Sequence, residues 1–475
     1  MTTRSPEIDL TTIDRGSVTA PAGFGKTQVI ADTISRHSKR RFLVLTHTNA
    51  GVRALHDRIT TLGAARSVHI DTISGLALRL ARAFPAGVGW HEGTGINHSA
   101  ATTAALAILR RPTVRRALLH GYDQIIVDEY QDCSTTQHHI ISHLADHTPT
   151  VVLGDPLQAI FDFDPDDPLV SWSDVLDTFP HFGTLSTPHR WTHTSPLLGH
   201  WLKTIREPLA QAQPVPLPLG DITVYRMPRP LHEGGLHGAL PKFGSRAVLI
   251  PDSQKSHEIA ALAKTLASIA AVHESAEHPD LLRFVHKISD ASPAAILLLT
   301  VDFTKTTTTK ISAQSQVKTL VKNLEDKSRP GTTNNELNNL ARRFIETSAA
   351  HDLAAVIRKV ISGPNCRTYR PGLLYTLLTA LRSLGNAPTT ELLDAARTAI
   401  DTRRRIAPPP TSRINIGSTL RVKGLEYDSV TIYDPNRVPS AQHLYVALSR
   451  ARRHITLAIP PHSQLDKWFV HPNLN

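Results

Sequence analysis

Residues 19–27 read T-A-P-A-G-F-G-K-T, an order of residue types that can cradle phosphate. Gly23 and Gly25 let backbone N–H groups approach phosphate oxygens, Lys26 has the reach for the β- and γ-phosphates, and the Thr27 hydroxyl suits Mg²⁺. The general pattern opens with glycine, where this chain has Ala20; alanine serves as long as its φ stays negative. Residues 125–132, I-I-V-D-E-Y-Q-D, supply the complementary chemistry. An apolar run ending in Asp128 and Glu129 offers one carboxylate for the magnesium shell and one to orient or deprotonate an attacking water. Taken singly, the loop is also a plain strand-to-helix turn and the acids also cap a strand. Together they supply what a nucleotide hydrolase needs.

The elements around these residues fit. R-F-L-V-L-T (41–46), Q-I-I-V-D (124–128) and T-V-V-L-G-D (150–155) are unbroken apolar runs, as parallel strands covered by helices on both faces should be. Val29, Ile30, Thr33 and Ile34 follow the loop at helical spacing. A proline-rich stretch at 208–219 punctuates the chain, and a second strand-rich stretch is expected at 222–225, 246–251 and 295–301. A threonine-rich irregular segment (304–311), a mainly helical stretch to about 405, a linker at 403–410 and a return to strands at 430–433 and 455–459 complete the order. The expectation is an α/β chain with two parallel-sheet domains and a helical insertion.

At 475 residues with 40% apolar residues, the chain has room for several cores. Its net charge of +11 favours a polyanionic partner, and 301–410 holds 17 Lys/Arg against 9 Asp/Glu. The 2 cysteines, Cys133 and Cys366, imply no disulfide framework or cysteine metal site. No signal core or long apolar run stands out, so a soluble, cytoplasmic location without membrane attachment is expected. His139, His143 and His147 share a helical face with His138 alongside. Zinc could bind such a pair, but without acidic or cysteine ligands nearby a polar helix face is the simpler reading.

The motif series resembles the UvrD/Rep/PcrA-type superfamily 1 DNA helicases. D-E-Y-Q-D looks like their second motif. L-T-H-T-N-A (45–50), I-D-T-I-S-G-L-A (70–77), L-G-D-P-L-Q-A-I-F (153–161), T-P-H-R (187–190), V-K-G-L-E-Y-D-S-V (422–430) and L-Y-V-A-L-S-R-A-R (444–452) follow in family order. The resemblance implies two RecA-like motor lobes: lobe 1 over 1–184 with a short helical insertion at about 82–120, and lobe 2 over 185–300 and 406–475, with a basic helical subdomain at 301–405. It implies ATP and Mg²⁺ as cofactors, with Thr27 and Asp128 at the metal and Glu129 as the catalytic carboxylate that orients or deprotonates the attacking water. Gln158 would sense the γ-phosphate, Arg190 and Arg450 would act as arginine fingers, His189 would stack on the base, and Glu426 would touch the sugar. Thr46, His47, Asn49, Thr72 and Ser74 would meet single-stranded DNA, with Phe161 or Phe163 as a base-stacking ring.

The implied activity is 3′-to-5′ helicase or translocase action on single-stranded or tailed duplex DNA. The alternative is a motor subunit of a repair or phage-defence nuclease assembly that translocates without unwinding alone and works with a nuclease partner. Three features depart from the family. Residues 1–18 hold no counterpart of its adenine-reading glutamine motif, and Leu420 and Ser418 replace the histidine and threonine of its fifth motif. F-D-F-D-P follows the third motif in place of W-R-G-A.

Overall fold

The computed structural model describes residues 7–85, 98–161, 165–218, 220–231, 234–250, 256–274, 278–311, 313–325, 335–405 and 414–470. Two compact units divide the chain. The first comprises Met1–Asp221, Pro439–Arg453 and Trp468–Asn475; the second comprises Ile222–Val438 and His454–Lys467.

The first unit is built on strands β1 (Arg15–Thr19), β2 (Phe42–Thr46), β3 (Val68–Thr72), β4 (Gln124–Val127), β5 (Thr150–Gly154) and β6 (His181–Thr184). They form one sheet in the order β3-β2-β4-β5-β1-β6, with every pairing parallel. β2, β4 and β5 are buried at every position, which is why their sequences show no polar alternation. Parallel strands bring their C-terminal ends to one edge, and that edge is where open α/β sheets bind ligands. Helix Lys26–Arg36 leads from β1 towards β2 and buries Val29, Ile30, Thr33 and Ile34. Between β3 and β4 run helices Ile73–Ala83, His98–Leu109 and Pro112–Leu119. A two-residue strand β7 (Val215–Pro216) lies in the proline-rich stretch.

The second unit carries β8 (Ile222–Arg226), β9 (Arg246–Ile250), β10 (Ala270–Val272), β11 (Thr308–Thr309), β12 (Arg367–Thr368), β13 (Ile414–Ser418), β14 (Tyr427–Tyr433) and, from His454 on, β15 (Ala451–Ile459), whose residues Ala451–Arg453 belong to the first unit. The order β10-β13-β9-β14-β15-β8 makes a second six-stranded sheet, and β13 and β9, β9 and β14, β10 and β13, and β8 and β15 pair in parallel. The chain's last strand, β16 (Phe469–Val470), pairs with β7 in the first unit. The α/β class with two parallel sheets is the one expected.

The helical part of the second unit has its own core, running from Leu281 to Ile400. One expectation fails here. Residues 295–301 are not a strand but the middle of helix Pro293–Lys305, capped by the Ser292 side chain with Pro293 in its first turn. The helix buries Ile296, Leu297, Thr300, Val301, Phe303 and Thr304 in that core, and Phe303 stacks on Phe284 at 4.2 Å. A helix apolar on nearly every side shows no period that separates it from a buried strand. The threonine-rich segment also has more structure than expected, since Thr308 and Thr309 form β11 against β12. Of the expected linker, residues 403–405 end helix Leu392–Arg405 and 406–410 lie outside the described residues.

Candidate nucleotide site

The phosphate-type loop leaves the C-terminal end of β1. Gly23 and Gly25 have φ of 76° and 87°, a left-handed backbone that only glycine adopts without strain. Ala20 has no such requirement: it is fully buried, and its N–H donates to the Gly154 carbonyl at 2.8 Å, tying the loop to β5. Space is tight as well. A Cβ on Gly25 would fall 2.8 Å from His189, and one on Gly23 would fall 2.7 Å from Trp191. The His189 ring therefore lies against the loop, and the Arg190 N–H donates to the Gly23 carbonyl at 2.9 Å.

Lys26 opens the helix and meets the acids at the end of β4. Its Nζ is 3.0 Å from Asp128 Oδ1 and 2.6 Å from Glu129 Oε1. Burial alone would lower the ammonium's pKa, but the Asp128 and Glu129 charges outweigh it and hold the pKa above its ordinary value. Burial pushes the Asp128 carboxyl up, against the pull of Lys26. Glu129 sits at φ 56°, ψ 40°, a left-handed conformation that costs a non-glycine residue about 1–2 kcal/mol and is characteristic of functional sites. Gln131 fixes it there: its Nε2 donates to Glu129 Oε2 at 2.6 Å, while its Oε1 accepts from the Asp155 N–H at 3.0 Å.

Beyond β5, Asp155 is the hub. Gln158 Nε2 donates to it at 2.9 Å, and Arg206 donates to both its oxygens at 2.9 and 2.7 Å. Arg206 also lies over the Tyr445 ring at 4.9 Å. Helix Ala441–Leu448, which carries Tyr445, packs against residues Pro156–Gln158. Arg450 follows this helix and is 2% exposed, its Nε donating to the Val446 carbonyl at 3.0 Å. Arg190 donates to the Ser449 carbonyl, and the buried Trp191 indole to the Ala451 carbonyl at 2.8 Å. Lys26, Asp128, Glu129, Gln158, Arg190 and Arg450 thus all belong to the first unit. Glu426 belongs to the second, exposed just ahead of β14.

The residues expected at a nucleic-acid strand stand on the same carboxyl edge, after β2 and β3. His47 stacks on Phe161 at 6.2 Å and 23°, leaving the pair half-buried. Asn49 is exposed at the start of helix Asn49–Thr61. The Thr46 hydroxyl is buried, the Thr72 hydroxyl caps helix Ile73–Ala83 by accepting from the Gly75 N–H, and the Ser74 hydroxyl accepts from Gln137 at 3.4 Å. Phe163 lies outside the described residues. His138 is committed to Tyr130, 2.9 Å away, and Thr178, 3.2 Å away. Among the described residues no helix is long and apolar enough to cross a membrane.

Sequence reasoning missed four contributors. Gln131 and Asp155 lie inside quoted motifs with no role assigned, and Trp191 follows the motif that ends in Arg190. Arg206 carries no motif signal at all.

Comparison with known proteins adds a domain. Residues 11–164 match the family model described as an AAA domain. The match takes in both the glycine-rich loop and the acid-ended β4, so by it the first unit carries a nucleotide-binding domain. No curated protein matches the chain. Among solved structures, arterivirus nonstructural protein 10, a helicase, is similar with a TM-score of 0.36 and 11% identity over 95% of this chain and 61% of that one. A complex of the same protein with DNA gives 0.35 and 11% over 95% and 62%. The PRRSV helicase gives 0.35 and 12% over 98% and 56%. The chain therefore spans about three fifths of the length of these proteins.

Proposed function

We propose that the chain is an ATP-driven motor on nucleic acid: a superfamily 1 DNA helicase or translocase of the UvrD/Rep/PcrA type, moving 3′ to 5′ on single-stranded DNA. The observation that carries this reading is the Lys26 ammonium, held between Asp128 and Glu129 at the head of a loop whose glycines leave room for phosphate.

The chemistry follows from these atoms. Loop N–H groups and the N-terminus of helix Lys26–Arg36 bind the phosphates. An arriving β,γ-phosphate competes for the Lys26 ammonium, and both carboxylates lose that partner. The Thr27 hydroxyl and Asp128 carboxylate are hard oxygen donors that fit Mg²⁺, and they would hold it. When bound, the ion neutralises charge on the phosphate oxygens. Glu129, positioned by Gln131, orients water and takes its proton. Gln158, held by Asp155, reports the terminal phosphate, and Arg190 and Arg450 stabilise transition-state charge. His189, against Gly25, offers a ring to the base. His47 and Phe161 offer stacking surface to a single strand, with Asn49 beside them.

The test is ATP hydrolysis with and without single-stranded DNA, alongside displacement of streptavidin from 3′- or 5′-biotinylated strands. Strand-stimulated hydrolysis and faster displacement at the 5′ end are expected. Absence of nucleotide hydrolysis under all conditions sinks the reading, and displacement at the 3′ end reverses its polarity.

A further inference from the structure

The second sheet has a carboxyl edge of its own, and a basic cluster stands on it. β10 and β13 are parallel neighbours, so His273–Glu274 and Thr419–Arg421 leave the sheet at the same edge. The His273 N–H donates to the Ile416 carbonyl at 2.8 Å. A Cβ on Gly417 would lie 3.4 Å from the His273 Cβ and 3.9 Å from the Arg421 Cβ, so these two side chains start as neighbours. From the helical part come Arg370, just before helix Pro371–Leu384, and Arg403, near the end of helix Leu392–Arg405. Arg403 donates to the Gly372 carbonyl at 3.3 Å, and a Cβ on Gly372 would fall 3.0 Å from the Arg403 guanidinium and 2.9 Å from Glu274.

Among the described residues the charges in this cluster do not balance. Arg370 engages both acids, Glu274 at 2.7 and 3.0 Å and Asp280 at 2.6 Å. Arg403 and Arg421 are half-buried, and neither forms an ion pair among the described residues. Burial lowers the pKa of both, with Glu274 offsetting only part of the effect. Burial, then Arg421 and Arg403, push His273 down to about 4. A guanidinium withdrawn from water without a counter-ion is costly, and a phosphate, which guanidinium groups bind through paired N–H donors, would remove that cost.

We propose that Arg403 and Arg421 together hold a phosphodiester group of the nucleic-acid strand on the carboxyl edge of the second sheet. The inference rests on the motor reading above. It assigns the strand contact near β13 to Arg421, whose neighbour Leu420 has no polar group to offer. Arg403 makes the helical segment a direct participant in binding.

The experiment measures binding of a fluorescent oligothymidylate by anisotropy over a range of KCl concentrations. Each arginine that neutralises a single-strand phosphate adds about 0.7 to the slope of log affinity against log salt. Arg403→Gln and Arg421→Gln should each lower the slope by about 0.7 and the double variant by about 1.4. Lysine at either position should restore it, with melting temperature and strand-independent ATP hydrolysis unchanged. A second readout uses the unaltered chain: the oligonucleotide, but not inorganic phosphate at equal phosphate concentration, should protect both arginines from phenylglyoxal. An unchanged slope in the folded variants, or no protection by the oligonucleotide, overturns the proposal. Protection by inorganic phosphate as well would mean a free-anion site and also overturns it. If the unaltered chain binds no oligonucleotide, the motor reading itself falls with it.

Discussion

Arg206 clasps Asp155 end-on, its two terminal nitrogens donating to the two carboxylate oxygens at 2.9 and 2.7 Å. The same oxygens accept from Gln158 Nε2 at 2.9 Å and the Leu157 N–H at 3.2 Å. Asp155 is fully buried, so its charge depends on this clasp. Removing one partner of a buried pair typically costs about 3–5 kcal/mol, because the other charge is left behind. Arg206→Ala should therefore destabilise the chain by about that amount in urea unfolding. Adding Asp155→Asn should recover much of the loss. A cost below about 1 kcal/mol would show that Asp155 does not need the guanidinium.

Lys26→Ala and Glu129→Gln should both abolish strand-stimulated ATP hydrolysis, by different routes. The first removes the phosphate ligand, so nucleotide binding falls with turnover. The second keeps the loop and Lys26 but loses the group that takes the water's proton, so nucleotide stays bound. Equilibrium binding of a fluorescent ATP analogue separates the two. Near-normal turnover by the Glu129→Gln chain refutes its assignment.

Arg450 is buried, its Nε donating to the Val446 carbonyl and one terminal nitrogen to the Ser449 hydroxyl. Acting on transition-state charge, it should matter more to kcat than to KM. Loss of an arginine finger typically costs about 10³–10⁵ in rate. Steady-state kinetics of Arg450→Ala reads this directly. A raised KM with kcat intact would make it a ground-state contact.

How much of this was legible follows from what each residue depends on. β2, β4 and β5 were readable because burial at every position leaves unbroken apolar runs, and the loop and acids because local spacing defines them. β1, β3 and β6 are only partly buried, carry no such run and were not read. The same cue misread 295–301, where a fully buried helix gives an equally unbroken run. Arg206 and Asp155 lie 51 residues apart, and no local pattern joins them. His273, Arg403 and Arg421 come from three separate segments and meet only when the second sheet forms. Long-range charge placement was therefore the illegible part.

His273 makes the second unit acid-sensitive. Its pKa is lowered from 6.5 to about 4, first by burial and then by Arg421 and Arg403. The unfolded chain takes up the proton below about 6.5 while the folded one resists it until about 4, so stability is present above 6.5 and lost as pH falls through that window. The difference corresponds to about 3 kcal/mol at full effect. Urea unfolding at pH 7.5, 5.5 and 4.5 should show a shallower acid decline in His273→Gln. Parallel declines in the two chains would dismiss His273 as the cause.

The last prediction concerns duplex unwinding by this chain alone. In the family it resembles, a sizeable helical insertion that helps engage duplex lies between the counterparts of the segment at 70–77 and of the acid motif. Here the described residues of that interval hold helices His98–Leu109 and Pro112–Leu119, and Ala101, Ala105, Ile108, Leu109 and Leu119 are buried. Helices with their apolar faces committed inward have little surface left for wedging base pairs apart. The insertion of the second unit is far larger and carries most of the net charge, but charge attracts single and double strands alike. Robust single-strand-stimulated ATP hydrolysis with weak strand separation is therefore expected of the isolated chain. Unwinding should improve when a second copy or a partner protein is supplied. Single-turnover unwinding of a 3′-tailed duplex, with DNA in excess so that most bound molecules are monomers, is the deciding measurement. Efficient separation there would mean that the large insertion engages duplex by itself, and the short interval between the two motifs would no longer limit activity.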